Sequence, residues 1–188
     1  MKSIYEECPV LENERFMLRK AVLEDADDLL NVYSDKNALP FFNSDNCNGD
    51  NFYYPTEERM TEALKFWETS YENCWFARLS ILDKQKDAVI GTIEGVKRAS
   101  EDAFDGCGIL RLDVGSPYEK EEILFDILSV LLKDFCGLFA CNTIITKVPV
   151  YAVEREKAVR RAGFEKSEEL LRGSHDGYGY RDYWVLWA

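Results

Sequence analysis

Two hydrophobic periods alternate along the chain, and the change from one to the other marks out its elements. The strongest signal is a stripe of Ile123, Leu124, Ile127, Leu128, Leu131, Leu132 and Phe135. Steps of three and four residues predict one long amphipathic helix with a broad core-facing side. Ser116, Pro117 and Glu119 read as its start, a Ser-x-x-Glu capping box with proline at the first helical position. Immediately before it, residues 108–114 (GILRLDV) predict a strand that Gly115-Ser116-Pro117 breaks. A strand, a tight turn and a helix start together make a ready anion site, because unpaired backbone N–H groups converge there.

The other elements follow from the same reading. Residues 15–20 (RFMLRK) predict a first strand, and residues 24–33 a helix opened by acidic side chains that suit its positive end. Residues 35–54 keep no period and carry Phe41, Phe42, Phe52, Tyr53 and Tyr54 among Asn, Asp and Gly, which predicts a long loop. Pro55-Thr56-Glu57-Glu58 opens a helix to about Tyr71, with Met60, Leu64 and Trp67 as its inner face. Residues 75–82 and 88–97 predict consecutive strands joined by a polar turn. Residues 143–150 form a β-branched strand, and residues 151–162 a helix stopped by Gly163. Residues from Phe164 onward and 180–187 close the chain as two strands around a turn at 173–179. The order β-α-α-β-β-β-α-β-α-β-β implies an α/β layered domain around a mixed sheet.

Composition narrows the function. At 188 residues the chain is expected to form a single domain, and 46% hydrophobic with 13% aromatic residues argues for a globular protein. No apolar run reaches the roughly 18 residues that span a bilayer, and the first residues do not read as a signal peptide, so no membrane association and a cytoplasmic location are expected. The net charge of −12, from 35 acidic and 23 basic residues, argues against nucleic acid as a partner. It suits a cationic partner such as an amine, and equally a merely soluble surface. Six cysteines without a CxxC pair and a single histidine, His175, give no zinc-ligand spacing; reduced, mostly buried thiols are expected.

Four phrases in this order, RFMLRKAVLEDADDLL, AVIGTIEG, VRRAGFEKSEELL and GYRDYWVLW, resemble the GNAT superfamily of acetyl-CoA-dependent N-acetyltransferases. The likeness is greatest to the branch that acetylates ribosomal-protein N-termini, and it runs from about Leu11 to the end of the chain. It implies a GNAT-like, mostly antiparallel central sheet flanked by helices, with acetyl-CoA as co-substrate and no metal. It also implies a primary amine, small or a peptide N-terminus, as acceptor, and leaves a homodimer open. Backbone amides around Asp113, Val114 and Gly115 would hold the pantetheine arm and the acetyl carbonyl. Where the family carries glycines around the pyrophosphate, this chain has Glu119-Lys120-Glu121-Glu122, and bulky or acidic side chains there oppose close approach of phosphate. The family's helix Asn and Tyr, counted back from Gly163-Phe164, correspond to Ala152 and Val159, with Tyr151 the adjacent tyrosine.

The candidate site residues therefore carry alternatives. Asp113 reads as a proton acceptor for the amine, or as a strand residue paired with Arg111 or Arg78. Tyr151 is the candidate acid. Arg155, Lys157, Arg160 and Arg161 form a basic helix face for the 3′-phosphate of CoA, or a solvated face paired with Glu154 and Glu156. The aromatic loop could line an amine pocket or pin itself to the core. Tyr178, Tyr180 and Tyr183 could close over the acceptor, and His175 reads as an exposed turn residue. The acceptor is expected between the loop at 41–54 and the turn at 174–180. Two functions remain: N-acetyl transfer by direct attack of a neutral amine, with the oxyanion held by an N–H near Val114, or a ligand-binding or interaction module that has lost acetyl-CoA turnover.

Overall fold

The computed structural model describes residues 2–187. The chain forms β1 (Leu11–Glu12), β2 (Phe16–Lys20), α1 (Ala26–Tyr33), α2 (Glu57–Glu72), β3 (Ala77–Asp83), β4 (Ala88–Lys97) and β5 (Gly108–Val114). It continues with α3 (Glu121–Phe139), β6 (Thr143–Lys147), α4 (Val153–Arg161), β7 (Glu165–Lys166), β8 (Leu171–Arg172), β9 (Gly179–Tyr180) and β10 (Tyr183–Trp187). Eight strands make one sheet in the order β1-β2-β3-β4-β5-β6-β10-β7, and β8 with β9 form a separate ribbon. Every neighbouring pair in the large sheet is antiparallel except β5 and β6. This is the mixed, mostly antiparallel α/β architecture that the strand and helix pattern predicts.

The sheet has two unlike faces because side chains alternate along each strand. Leu79, Ile81, Ile93, Leu110, Leu112 and Val114 point to one side, where Leu124, Ile127, Leu128, Leu131 and Phe135 of α3 cover them. Gly95 brings helix and sheet together: a Cβ there would stand 2.2 Å from the Phe139 ring. Arg78, Thr92, Glu94, Arg111 and Asp113 occupy the alternate positions. The polar face of such a sheet ordinarily meets water. Here Tyr33 of α1, Trp67 of α2 and Phe52 of the loop between them pack over it, so charged strand residues are buried.

Two details differ from the sequence reading. The long helix does not start at Ser116. Residues Ser116–Tyr118 form a separate 3₁₀ turn, and α3 begins at Glu121 with Lys120 as N-cap. Ser116 does not cap through its side chain, and Glu119 turns away from the helix start toward α4. The closing segment is also more divided. β10 inserts between β6 and β7, while the turn at 173–179 is closed by its own ribbon. No helix among the described residues is long and apolar enough to cross a membrane.

Candidate active site

The site grows from an interruption in the sheet. β5 and β6 pair only through Gly108 with Ile144 and Ile109 with Ile145, so the rest of β5 has no strand neighbour on that side. On its other side β5 is fully paired with β4, and the Gly115 N–H extends that ladder to the Ile90 carbonyl at 3.0 Å. Alternation then directs the Leu112 C=O and the Val114 N–H toward the gap. Gly115 is thus engaged in the ladder, and Val114 is the residue whose N–H faces the opening.

That gap is filled by the protein itself. The Arg155 guanidinium, from α4, donates to the Leu112 carbonyl at 2.7 Å and to both Glu119 oxygens at 2.7 Å. Both partners are nearly inaccessible, at 4% and 7% side-chain exposure. Burial opposes the Arg155 charge, but Glu119 and then Asp113 outweigh it and raise its pKa. The neighbouring donors are also spent on carboxylates of this chain. Asp35 accepts from the Ser116 N–H at 2.9 Å, and Glu154 accepts from the Glu121 N–H at 3.1 Å at the start of α3.

The four residues of the acidic turn therefore separate. Glu119 is buried against Arg155, and Glu122 pairs with Arg161 at 2.7 Å on the surface. Lys120 is the N-cap and Glu121 gives its N–H to Glu154. Cations of α4 neutralise Glu119 and Glu122, so this turn opposes a phosphate less than bare carboxylates would. On α4 itself Lys157 pairs with Glu154 and Arg160 with Glu156, so the solvated, ion-paired reading describes that face, apart from the buried Arg155. With the Arg155–Glu119 pair closed and no glycine at residues 119–122, acetyl-CoA reaches the Val114 N–H only once that pair opens.

Asp113 is completely buried. One of its oxygens accepts from Tyr33 and Arg78, each at 3.1 Å, and the other has no partner among the described residues. Burial pushes its carboxyl up, with Arg78 and Arg155 acting in the opposite direction. The pairing with Arg78 is the structural alternative read from the sequence, whereas Arg111 pairs with Glu94 instead. Tyr151 precedes α4, is 58% exposed and donates to the Pro40 carbonyl at 2.5 Å, with Phe41 edge-on to its ring. It thereby ties the loop after α1 to the start of α4. Ala152 and Val159 are buried in the apolar core.

On the polar face of the sheet lies a cavity of about 580 Å³, within the usual size of a small-molecule site. Residues from the loop at 46–54 and Ser174 with His175 line it, so the two segments expected to flank the acceptor do meet. Asn46 joins them, donating to the Ser174 hydroxyl at 3.1 Å and accepting from the His175 N–H at 2.9 Å. Phe52 and Tyr54 line the cavity as well as anchoring the loop, yet their rings lie over Arg78 and Arg59 of the protein itself. Four arginines, Arg59, Arg78, Arg98 and Arg111, stand in the wall against two carboxylates, Asp50 and Glu94. An acidic whole-chain charge thus encloses a cavity with a basic lining. Neither Asp113 nor Val114 is among its lining residues. Of the tyrosines in the closing segment, Tyr183 is buried and donates to Asp45 at 3.1 Å, while Tyr178 is exposed.

Arg78, Glu94 and Arg111 were individually visible in the sequence, but their convergence needed the strand register. Arg78 pairs with Glu94 across β3 and β4, and Glu94 with Arg111 across β4 and β5. The six cysteines are free thiols, of which Cys107 and Cys141 are buried and Cys74 is exposed.

Solved structures share this architecture over nearly the whole chain. A GNAT-family acetyltransferase from Bacillus anthracis matches with a TM-score of 0.70 at 12% identity, over 95% of this chain and 98% of that one. A ribosomal-protein-S5-alanine acetyltransferase from Vibrio fischeri matches at 0.68 and 16% identity, over 94% of each. The fold is that of the GNAT acetyltransferases. A RimL ribosomal L7/L12 alpha-N-protein acetyltransferase, solved in complex with coenzyme A, shares the GNAT fold at 0.68 and 11% identity, over 95% of this chain and 98% of that one. No protein-family model matches the chain, and no curated protein does.

Proposed function

We propose that the protein is an N-acetyltransferase that moves an acetyl group from acetyl-CoA to a primary amine, either a small amine or a protein N-terminus. The observation that carries this reading is the early end of β5–β6 pairing within a GNAT fold. It leaves the Val114 N–H directed into a gap, as a backbone donor suited to an acyl oxygen. The cavity on the polar face supplies room for an acceptor between the same two loops that the sequence marked. Acetyl-CoA can enter only if Arg155 leaves Leu112 and Glu119, so opening of that pair belongs to the proposal. The Asp113 carboxylate, held by Arg78 and Tyr33, is assigned a positioning role.

A second reading rests on one specific observation, the filled gap itself. A GNAT-fold module that binds a ligand in the cavity without turning over acetyl-CoA needs no opening of the Arg155–Glu119 pair. Titrating the full chain with acetyl-CoA and with CoA, followed by thiol release in the presence of an amine panel, separates the two. Saturable binding with amine-dependent thiol release supports acetyl transfer. Binding to neither nucleotide at millimolar concentration overturns it and leaves the module.

A further inference from the structure

The cavity on the polar face has a wall rich in donors and short of acceptors. Glu94 already receives Arg78 at 2.5 Å on one oxygen and Arg111 on the other. Asp50 is held by Arg59 at 2.7 Å, by the Tyr54 hydroxyl at 3.2 Å and by the Phe52 N–H at 2.8 Å. Arg98 is tied to Asp102, which lies outside the lining. Each carboxylate that an ammonium ion could approach is therefore already neutralised by a guanidinium. The donors are not all used. Among the described residues, the Nε–H groups of Arg78 and Arg111 are buried without an acceptor, while the Arg111 Nη groups donate to Glu94 and to the Asp45 carbonyl. An unmet buried donor is unfavourable by about 1–3 kcal/mol. Arg59 stands at the opening with 39% of its side chain exposed, and Asp50 is its only acceptor within hydrogen-bond distance among the described residues.

The rest of the wall is apolar. Phe66, Trp67, Phe76 and Val96 line the same space, and Phe66 is 53% exposed. A ligand that satisfies both parts has an apolar or aromatic body and carries an anionic group. Guanidinium is the side chain best matched to a carboxylate, through planar paired hydrogen bonds.

We infer that this cavity recognises a carboxylate borne on an apolar or aromatic body, held by Arg59 and Arg111, so that the acceptor amine is an amino-carboxylate rather than a simple cationic amine. This deepens the acetyl-transfer reading by naming the acceptor class, and the binding it describes does not depend on turnover. Asp102 and Asp113 sit behind the wall against Arg98 and Arg78, whereas Asp50 and Glu94, the partners of Arg59 and Arg111, line the cavity beside them.

Four probes test it on the wild-type chain by calorimetry and thermal shift: phenylalanine, its methyl ester, phenethylamine, and 3-phenylpropionate. The two carboxylates are expected to bind, and the ester and the amine about tenfold more weakly or not at all, as loss of a charged hydrogen-bonded contact implies. Arg59→Gln, at the exposed opening, is expected to reduce carboxylate affinity about tenfold with the circular dichroism spectrum unchanged. Binding of phenethylamine or the ester as tight as that of the carboxylates overturns the inference, and so does binding of none of the four. Carboxylate binding without acetyl-CoA binding sustains this inference while refuting acetyl transfer. Acetylation of carboxylate-free amines as fast as amino-carboxylates does the reverse.

Discussion

Arg155→Ala tests the closed gap most sharply, because its size follows from burial. Arg155 and Glu119 share two 2.7 Å contacts at 4% and 7% exposure, and the same guanidinium satisfies the Leu112 carbonyl. Removing one member of a buried ion pair leaves the other charge unmet and costs about 3–5 kcal/mol. For a chain of this length each kcal/mol moves the midpoint by about 2–4 °C, so Tm is expected to fall by about 6–20 °C. The partner variant Glu119→Leu should lose a similar amount. The double variant Arg155→Met with Glu119→Leu should recover most of it, since apolar groups of similar volume often replace a buried pair without loss. A double-mutant cycle by urea unfolding measures the coupling. A single-variant loss below about 1 kcal/mol, the range of a surface pair, would refute the reasoning, because the gap would then be open to water.

Three further outcomes follow from other parts of the molecule. Asp102 is desolvated, yet hydrogen bonds from Arg98, the Arg172 N–H, Ser100 and the Phe104 N–H outweigh this and hold it at about 2. A carboxyl lowered in the folded state stabilises above its ordinary pKa of about 4 and stops doing so as pH falls through 2. The Tm gap between wild type and Asp102→Asn, measured against pH, should therefore be full at pH 6 and shrink toward pH 2; a gap that stays constant contradicts it. Gly95→Ala sets a methyl group against Phe139 and should cost about 1–3 kcal/mol in urea unfolding, whereas an unchanged midpoint would show that α3 can shift freely. Asp113→Asn should lower Tm, because Arg78 loses a charged partner, while leaving the pH profile of any acetylation unchanged; loss of a limb of that profile would make Asp113 the base.

Periodicity was sufficient for the four helices, the long strands and their faces. Leu124, Ile127, Leu128, Leu131 and Phe135 of α3 and the inner face of α2 at Met60, Leu64 and Trp67 are buried as their spacing implies. Local signals failed where a distant residue competed for the same group. Ser116, Pro117 and Glu119 have the form of a capping box, but Asp35 takes the Ser116 N–H and Arg155 takes the Glu119 carboxylate. Arg155 lies 36 positions from Glu119, beyond any window in which periodicity acts. Pooled charge has a related limit. Net charge counts residues over the whole chain, whereas the cavity is lined by four arginines against Asp50 and Glu94. A strand pattern with Arg78, Glu94, Arg111 and Asp113 on one face did hold a legible hint, since charged positions on three adjacent strands must either meet water or meet one another.

The acetyl-transfer reading turns on whether the Arg155–Glu119 pair yields to acetyl-CoA. Calorimetric titration of the wild type and of the Arg155→Met, Glu119→Leu double variant with acetyl-CoA tests this directly. Saturable micromolar binding to the wild type is expected, with tighter binding once the pair no longer has to open. No heat and no thermal shift with either protein at millimolar acetyl-CoA would contradict it.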